Sequence, residues 1–557
     1  MFAGELFGSH FGAFHLSSHI AIVGTGPTGI YAFKHLVELG AADAVTLFEK
    51  SEHAGVGMPY SPETASKAML ANIASIEIPP VTSSYLEWLE TLEPDYLRSY
   101  GLDPDDLDER EFTPRLLLGQ YYREQFLELV DMARALGMVV SIFKNTEITD
   151  IARHGTTIML RDGGGTSLGP FDRVIIATGH TFAGEEEATQ SYYPNPWSGL
   201  ISDDIPAGRI GIMGTSLSAL DAAMAIANQH GKFRRKGGEL VFVPSDAEGL
   251  SITMMSRQGI LPEADFYCPL PYLPLVHMTA EALEHAGKSR MVLDALFDLF
   301  KAELAEADPV YAKAIGLAGL DAESFAPAYF ADRLKRDPFH WARKNLDEVE
   351  RNKRDEKTVP WRYAILRMHE AVETLVPDFS ENDRERFDNG LKRVFVDNYG
   401  AVPSESIRRL LALRDAGVLN VVALGEDYEL DHDEELGLTR IVHADGRLEF
   451  DIFVDARGQK AQTTEHLPFP SLRQDLIADG QEVPEVADDY SLTGPKAATR
   501  LIYLAAIPYL MHDKPFCQGI TAAAEIAEAV ARSCAEAKSR NEDTSAAPYR
   551  IRRYRYA

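Results

Sequence analysis

Two glycine-rich loops, each lying between an apolar strand and a helix, constrain the fold of this chain more than any other feature. The first unit has a strand from His19 to Val23, a loop from Gly24 to Gly29 and a helix from Ile30 to Leu39. A second unit of the same kind begins near residue 210. Strands that alternate with helices in this way form parallel, doubly wound sheets. The sequence therefore predicts an α/β fold with two Rossmann-like dinucleotide-binding domains.

The first loop, Gly24-Thr25-Gly26-Pro27-Thr28-Gly29, fits the pattern GxGxxG. The first glycine allows a tight turn, the second lets the backbone approach a pyrophosphate, and the third lets the helix pack close to the strand. Glu49 follows the next strand, where a carboxylate can accept hydrogen bonds from both ribose hydroxyls. The helix N-terminus offers free N–H groups to the phosphates. The expected nucleotide contacts are Gly24, Gly26, Pro27, Thr28, Gly29, Glu49 and Lys50.

A second glycine cluster, from Gly55 to Tyr60, follows the ribose acid, and Leu70 to Ile73 comes next. A large flat ring that extends deeper into a protein needs such a cluster, and enzymes that bind only NAD seldom have one. The pattern favours FAD as the first nucleotide. Gly57, Met58 and Asn72 are expected to contact it.

With these motifs the chain resembles the flavoproteins that carry two dinucleotide-binding domains. The segment Val174–Gly179 ends in Ala-Thr-Gly, like the strand end that closes over FAD in that superfamily, and the strand at Ile148–Ile151 resembles the one that contacts adenine. More narrowly, GVGMPYSP, LANIASIEIP, GTSLSALDA and SRQGILP resemble segments of bacterial FAD/NAD(P)-binding proteins related to flavin-dependent monooxygenases, including amine N-hydroxylases. The resemblance covers most of residues 19–535 and implies FAD contacts from Ile148, Thr178 and Gly179.

The second loop, Gly214-Thr215-Ser216-Leu217-Ser218-Ala219, departs from GxGxxG at its middle and last glycines. Arg257 lies just past the following strand, Ile252–Met255, and no acid ends that strand. An arginine there suits a 2′-phosphate, which favours NADPH over NADH. The expected contacts are Gly214, Thr215, Ser216, Ser218 and Arg257. A degenerate repeat that binds nothing is the alternative, because Ser216 is bulkier than glycine.

Two further motifs lie near the C-terminus. The segment Phe450–Gly458 looks like a second strand end of the Ala-Thr-Gly kind. A long helix from about Thr521 to Lys538 resembles the C-terminal helix that directs its N-terminus at the flavin in related proteins, where its dipole stabilises negative charge on the reduced ring. Gln518 and Gly519 would supply N–H groups to FAD. An ordinary packing helix is the alternative interpretation.

Charge and cysteine usage exclude several classes of protein. With 55 basic and 85 acidic residues the formal charge is −30, which argues against general binding to nucleic acid or to a membrane surface. The three cysteines form no CxxC pair, so no metal site is expected. No run of 18 apolar residues is present, and we expect a cytoplasmic protein.

Segment 333–367 is locally basic. Its Arg343 and Arg362 could attract an anionic substrate, or they could simply lie on a solvated helix face.

The predicted domain boundaries follow from these motifs. They are an extension at 1–18, an FAD-binding domain at 19–205 and 440–540, an NAD(P)-binding domain at 206–276 and 391–439, a helical insertion at 277–390 and a tail at 541–557. The preferred function is an NAD(P)H-dependent FAD monooxygenase that uses O2 on a small-molecule substrate, with the amine nitrogen of a carboxylate-bearing compound such as an amino acid as the candidate position. The alternatives are a reductase or dehydrogenase with another acceptor and a non-catalytic nucleotide sensor. No catalytic acid or base is predicted, and the oligomeric state stays open.

Overall fold

The computed structural model describes residues 18–179, 188–245, 249–494 and 500–545. Nearly all of the predicted N-terminal extension, and the part of the predicted tail beyond 545, lie outside these residues. The final helix continues past residue 541 to Ser545, so the boundary predicted there is wrong.

The strands, in chain order, are β1 (His19–Val23), β2 (Ala44–Phe48), β3 (Val139–Phe143), β4 (Ile148–His154), β5 (Thr157–Asp162), β6 (Ser167–Phe171), β7 (Arg173–Ile176), β8 (Tyr192–Tyr193), β9 (Arg209–Met213), β10 (Gly231–Lys236), β11 (Glu239–Pro244), β12 (Ser251–Ser256), β13 (Leu419–Ala423), β14 (Tyr428–Asp433), β15 (Leu438–His443), β16 (Gly446–Phe450), β17 (Ile452–Asp455) and β18 (Ile502–Leu504).

The α-helices are α1 (Pro27–Glu38), α2 (Tyr85–Glu90), α3 (Pro94–Ser99), α4 (Arg115–Ala135), α5 (Leu217–His230), α6 (Ala280–Gly287), α7 (Val292–Ala307), α8 (Pro309–Ile315), α9 (Phe325–Leu334), α10 (Pro338–Arg354), α11 (Pro360–Glu373), α12 (Glu381–Asn389), α13 (Leu391–Tyr399), α14 (Ser404–Asp415), α15 (Pro470–Ala478) and α16 (Gly519–Ser545).

Two parallel five-stranded sheets form the frame of the molecule. Their strand orders are β18-β7-β1-β2-β3 and β13-β12-β9-β17-β8. In the first sheet, Ile20 and Ile22 pack among α1, α4 and α16 on one face, while Ala21 and Val23 pack on the opposite face against the β4–β6 meander and α15. A strand buried on both faces is apolar along its buried length, as residues 20–23 of β1 are. The predicted α/β fold with two dinucleotide-binding domains is confirmed.

The sheets place two of the predicted domain boundaries elsewhere. Tyr192 and Tyr193 form β8, which pairs with β17 in the second sheet, although the prediction assigned both residues to the first domain. Strand β17 itself pairs with β9, so the chain returns to the first domain only after Asp455 and not at 440. These pairings join strands far apart in sequence, and no local pattern specifies them.

The helical insertion connects β12 to β13 and has a core of its own. The predicted helices between 277 and 390 are present as α6 to α12. The insertion also includes α13, because Leu391, Val394 and Phe395 form one apolar helix face that is buried in the insertion core. Its helical part therefore extends to Tyr399, nine residues beyond the predicted limit of 390.

Candidate cofactor-binding site

The first loop lies between the ends of β1, β2 and β7. The Gly24 N–H donates to the carbonyl of Phe48 over 2.9 Å, and the residue has a φ of +100°. A Cβ on Gly24 would lie 2.3 Å from the carbonyl oxygen of Ala177, which begins the predicted Ala-Thr-Gly motif. Since that distance is far below van der Waals contact, only glycine fits. The loop and the strand-end motif are therefore brought together as predicted.

The second glycine cluster lies directly against the N-terminus of α1. A Cβ on Gly57 would be 2.7 Å from Cδ of Pro27, and a Cβ on Gly26 would be 3.3 Å from Cα of Gly57. Gly26 is the N-cap of α1 and has no side-chain capping bond, so the first N–H groups of the helix, including that of Thr28, are not used by a cap. This close backbone approach leaves room for a pyrophosphate group and suits its negative charge.

Glu49 is held beside the loop by two residues that the sequence patterns did not single out. Its Oε2 accepts hydrogen bonds from the Thr25 N–H at 3.2 Å and from Thr25 Oγ1 at 2.7 Å, and its Oε1 accepts from the Ser51 N–H at 3.0 Å. The carboxylate is thereby fixed at the strand end where a ribose is expected. Lys50, the next residue, is exposed.

Asn72 lies in a segment that α4 holds in place. The Arg115 side chain donates through Nε to the Leu70 carbonyl at 3.1 Å, and the Arg115 N–H donates to the Met69 carbonyl at 2.8 Å. The Asn72 Oδ1 atom is buried and has no hydrogen-bond partner in the structure. A buried acceptor of this kind normally has a donor. This unsatisfied oxygen fits the prediction that a bound group supplies one.

The other predicted FAD contacts have the following positions. Met58 begins a 3-10 turn, Ile148 begins β4 and is buried, Thr178 and Gly179 follow β7, and Gln518 and Gly519 are exposed at the start of α16. Helix α16 packs along α1, the helix that follows the first loop. A Cβ on Gly519 would have no neighbour among the described residues within 4 Å, so the start of this helix is open.

The second loop repeats the frame of the first. The Gly214 N–H donates to the Met255 carbonyl at 2.6 Å, and the residue has a φ of +131°. A Cβ on Gly214 would lie 2.6 Å from the carbonyl oxygen of Ala456, just as a Cβ on Gly24 would meet Ala177. The segment Phe450–Gly458 therefore lies against the second loop as the Ala-Thr-Gly segment lies against the first, although the prediction assigned it to the FAD-binding domain.

Strand register identifies the counterpart of Glu49 in this second unit. Val23 pairs with Phe48, and Met213 pairs with Met255, so Ser256 stands where Glu49 stands in the first unit. The Thr215 hydroxyl donates to Ser256 Oγ at 3.1 Å, as Thr25 donates to Glu49. We call Gly24–Gly29 with Glu49 the first cradle, and Gly214–Ala219 with Ser256 and Arg257 the second cradle.

The two replaced glycines of the second cradle are accommodated. Ala219 is fully buried, and its Cβ is 3.4 Å from the position that a Cβ on Gly214 would take. Ser216 is exposed and extended, and its hydroxyl makes no capping bond to α5. Ser218, in the first turn of the helix, is partly buried. Serine at the middle position therefore creates no clash within the protein.

Two arginines lie at the outer end of the second cradle. Arg257 is exposed and its Nη1 is 3.2 Å from Glu426 Oε2. Arg393 on α13 is half-buried beside the Phe330 ring; burial, together with the like charge of nearby Arg257, lowers its pKa. Sequence reasoning missed Arg393 because it comes from the insertion, 136 residues after Arg257.

A buried ion pair connects the two domains. Arg115 on α4 and Asp221 on α5 approach to 2.7 Å, and their side chains are 13% and 9% exposed. Burial raises the pKa of Asp221 to about 6, against the attraction of Arg115. Sequence reasoning did not predict this ion pair. The sequence feature that could have indicated it is Asp221, an aspartate on an otherwise apolar face of α5.

The two predicted substrate arginines do not form an anion-binding site. Arg343 is exposed and pairs with Asp415 at 3.0 Å. Arg362 is buried, with its Nη2 3.1 Å from Glu263 Oε2 and its guanidinium over the Phe266 ring. The prediction is wrong for Arg362, because a buried ion pair inside the protein already neutralises its charge.

Comparisons with known proteins agree with this architecture. Residues 21–181 match a family model described as FAD-NAD(P)-binding, and residues 279–399 match one described as YdhS-like middle domain. The chain is 50% identical over 525 residues to the protein named Uncharacterized protein YdhS from Escherichia coli (strain K12), covering 94% of this chain and 98% of that protein. The match to the YdhS-like middle domain ends at residue 399, the last residue of α13, in agreement with the insertion boundary found in the structure.

Two solved structures of low sequence identity share the fold. One is the ornithine N-hydroxylase of Kutzneria sp. 744 with reduced FAD, NADP+ and L-ornithine, at 13% identity and a TM-score of 0.50, covering 93% of this chain and 99% of that chain. The other is the reduced ornithine hydroxylase of Pseudomonas aeruginosa, with the same four values. None of the described helices is long and apolar enough to cross a membrane.

Proposed function

This chain belongs to the family of the Escherichia coli YdhS protein, and on that premise we propose that it is an FAD-dependent, NADPH-oxidising monooxygenase. One observation carries the proposal: two cradles of the same frame end in residues of opposite character. The first ends in a fixed carboxylate, Glu49, and the second in Ser256 followed by Arg257. A carboxylate accepts hydrogen bonds from ribose hydroxyls, whereas serine and arginine suit a 2′-phosphate.

FAD, when bound, supplies hydride acceptance and oxygen chemistry that protein side chains lack. The chain would contribute binding and orientation. Gly24, Gly26 and the N-terminus of α1 would hold the pyrophosphate, and Glu49 would hold the ribose. Asn72 would donate or accept at the edge of the bound group through an amide whose oxygen has no partner within the protein.

The amine part of the proposal rests on the charges around the start of α16. Glu373 Oε1 accepts from the Phe516 N–H at 2.7 Å, and burial raises the pKa of Glu373, with the like charge of Glu370 adding to the shift. Burial likewise raises the pKa of Glu525 on α16, again with Glu370 contributing. Glu373 and Glu525 thus lie near the further carboxylate of Glu370, and Lys514 is the cation that partly offsets them. Such a surplus of negative charge favours a cationic amine over the anion predicted from Arg343 and Arg362.

A product measurement tests the proposal. The FAD-loaded protein is given NADPH and oxygen with a panel of amines and amino acids, and hydroxylamine and hydrogen peroxide are both quantified. One molecule of hydroxylated product per NADPH oxidised is the expected result for one member of the panel. NADPH oxidation that yields only peroxide with every member would replace the monooxygenase with a reductase. A flavin that NADPH never reduces would instead favour the nucleotide sensor.

A further inference from the structure

A cavity to which neither cradle contributes opens at the amino-terminal ends of the strands in the first sheet. It has a volume of about 530 Å³, which is within the range of small-molecule sites. It is lined by Arg173, the first residue of β7, by residues 533–540 of α16, and by residues before and within β18. Arg173 begins β7, and the Ala-Thr-Gly motif follows the other end of that strand. In a parallel sheet these ends lie at opposite edges, so the cavity is separated from the first cradle by the length of a strand.

Arg173 is the unusual residue in this cavity. It is only 8% exposed, its Nε has no hydrogen-bond partner, and no carboxylate among the described residues lies within 4 Å of its guanidinium. Other buried arginines of the chain are paired. Arg333 is 2.5 Å from Asp397, and Arg362 is 3.1 Å from Glu263. Within the described part of the chain, Arg173 is thus a buried cation without an anion.

The acidic residues around the cavity have other partners. Asp489 accepts from Ser533 Oγ at 2.5 Å and from Ser491 Oγ at 2.6 Å, and Ser533 Oγ lies 3.0 Å from the Tyr503 hydroxyl. Glu536 is 3.9 Å from Arg540 at the exposed rim. Arg500 and Asp488 are also exposed at the rim, and their opposite charges offset each other. None of these carboxylates is within ion-pair distance of the Arg173 guanidinium, and Asp489 is held by the two serine hydroxyls instead.

Physical chemistry sets the expected occupant. An arginine keeps its proton at any physiological pH, and a buried charge without a partner costs several kcal/mol. The planar guanidinium binds carboxylate and phosphate oxygens in a bidentate manner. The Tyr503 and Ser533 hydroxyls also line the cavity, but they bond to each other and Ser533 donates to Asp489, so Arg173 is the group left to bind a ligand. We propose that this cavity binds a small carboxylate- or phosphate-bearing ligand through Arg173. The inference does not depend on the proposed reaction.

Thermal unfolding of the full FAD-loaded protein tests the proposal. Inorganic phosphate and succinate are titrated separately, with potassium chloride at matched ionic strength as the reference. The midpoint of the wild-type protein should rise by a few degrees with at least one of the two anions, which also identifies the ligand group. Arg173→Met should lose this response. Without any anion it should unfold at the same temperature as the wild-type protein or higher, because an unpaired buried charge has been removed.

Three further variants make the result unambiguous. Arg532→Gln removes an exposed arginine of α16, the helix that lines the cavity. Arg532 is paired with Glu528, and this variant should keep the wild-type response. Arg257→Gln should also keep it, whereas loss of the response there would assign the anion to the second cradle. Arg173→Lys retains the positive charge but lacks the planar guanidinium, so its response should be weaker than that of the wild-type protein. This variant still tests the proposal if the methionine variant does not fold. No response to either anion in the wild-type protein, or an equal response in the Arg173 variants, would overturn the proposal.

Discussion

The first and second cradles have the same backbone frame but different side chains, and three of the corresponding positions bear on nucleotide binding. Gly26 corresponds to Ser216, Gly29 to Ala219, and Glu49 to Ser256. A Cβ on Gly29 would lie 2.1 Å from the Gly24 carbonyl oxygen, whereas Ala219 is accommodated in the second cradle. The first cradle is thus tightly closed around its loop and the second is more open. The frame comes from the strand ends, while the choice of nucleotide comes from the residues that follow them.

The largest effect is expected from replacing the glycine that begins each loop. Gly24→Ala places a Cβ against Ala177 and forces an alanine to a φ of +100°, so FAD affinity should fall by roughly 100-fold or more. Gly214→Ala meets Ala456 in the same way and should leave FAD bound but abolish reduction by NADPH. Flavin content after desalting and the rate of anaerobic flavin reduction measure the two effects. Equal loss of both cofactors in both variants would show that the cradles do not act separately.

Nucleotide preference should change strongly at the second cradle. Arg257→Gln removes a charge-assisted contact to a 2′-phosphate, so the KM for NADPH should rise by about 10- to 100-fold while that for NADH stays unchanged. Arg393→Gln should shift the same ratio to a smaller extent. Arg343→Gln, at an exposed arginine of the insertion, is the matched control. A parallel rise in both KM values would mean that Arg257 does not read the 2′-phosphate.

The serine that replaces the middle glycine should have a moderate effect. Its hydroxyl is exposed and makes no capping bond, so it can donate to a phosphate. Ser216→Ala should weaken NADPH binding by about 3- to 10-fold, which is the usual value of one such hydrogen bond. Isothermal titration with NADP+ measures this directly. Tighter binding in Ser216→Gly than in the wild-type protein would instead indicate crowding.

The smallest effect on nucleotide binding is expected at the ion pair between the domains, where the titration of Asp221 changes stability instead. The pKa of Asp221 is about 6 in the folded chain and near 3.9 in an unfolded one, so folding takes up a proton between these pH values. The free energy of unfolding of the wild-type protein should therefore fall, relative to Asp221→Asn, as the pH rises from about 4 to about 6. The relative change should be about 2 kcal/mol, since each pKa unit corresponds to about 1.4 kcal/mol. Denaturant unfolding of both proteins across this range gives the difference, and parallel pH profiles would contradict it.

The parts of the fold that sequence predicts are those that local chemistry determines. Strands β1, β2 and β9 have the predicted bounds, because each is apolar and two of them end at a glycine that the turn requires. Strand β8 was missed because two tyrosines become a strand only through β17, some 260 residues later. Counting charges in the insertion likewise could not reveal that Arg362 meets Glu263, since that contact exists only after the insertion packs on the second domain.

The candidate site also has a part that the sequence predicts and a part that it does not. The glycines and Glu49 follow from the needs of a pyrophosphate and a ribose, and both loops lie where their spacing predicts. Thr25 as the anchor of Glu49, and Arg393 as the neighbour of Arg257, depend on which side chains face each other across a folded interface. Sequence spacing contains no record of that geometry.

Anaerobic titration with NADPH tests the central claim most directly, since it asks whether two nucleotides held by two cradles exchange electrons. The wild-type protein, purified with its flavin, should lose its yellow absorbance after one equivalent of NADPH per FAD, while Gly214→Ala should stay yellow. A protein that purifies colourless and does not take up added FAD would contradict the account, as would a flavin that NADPH reduces equally well in both proteins.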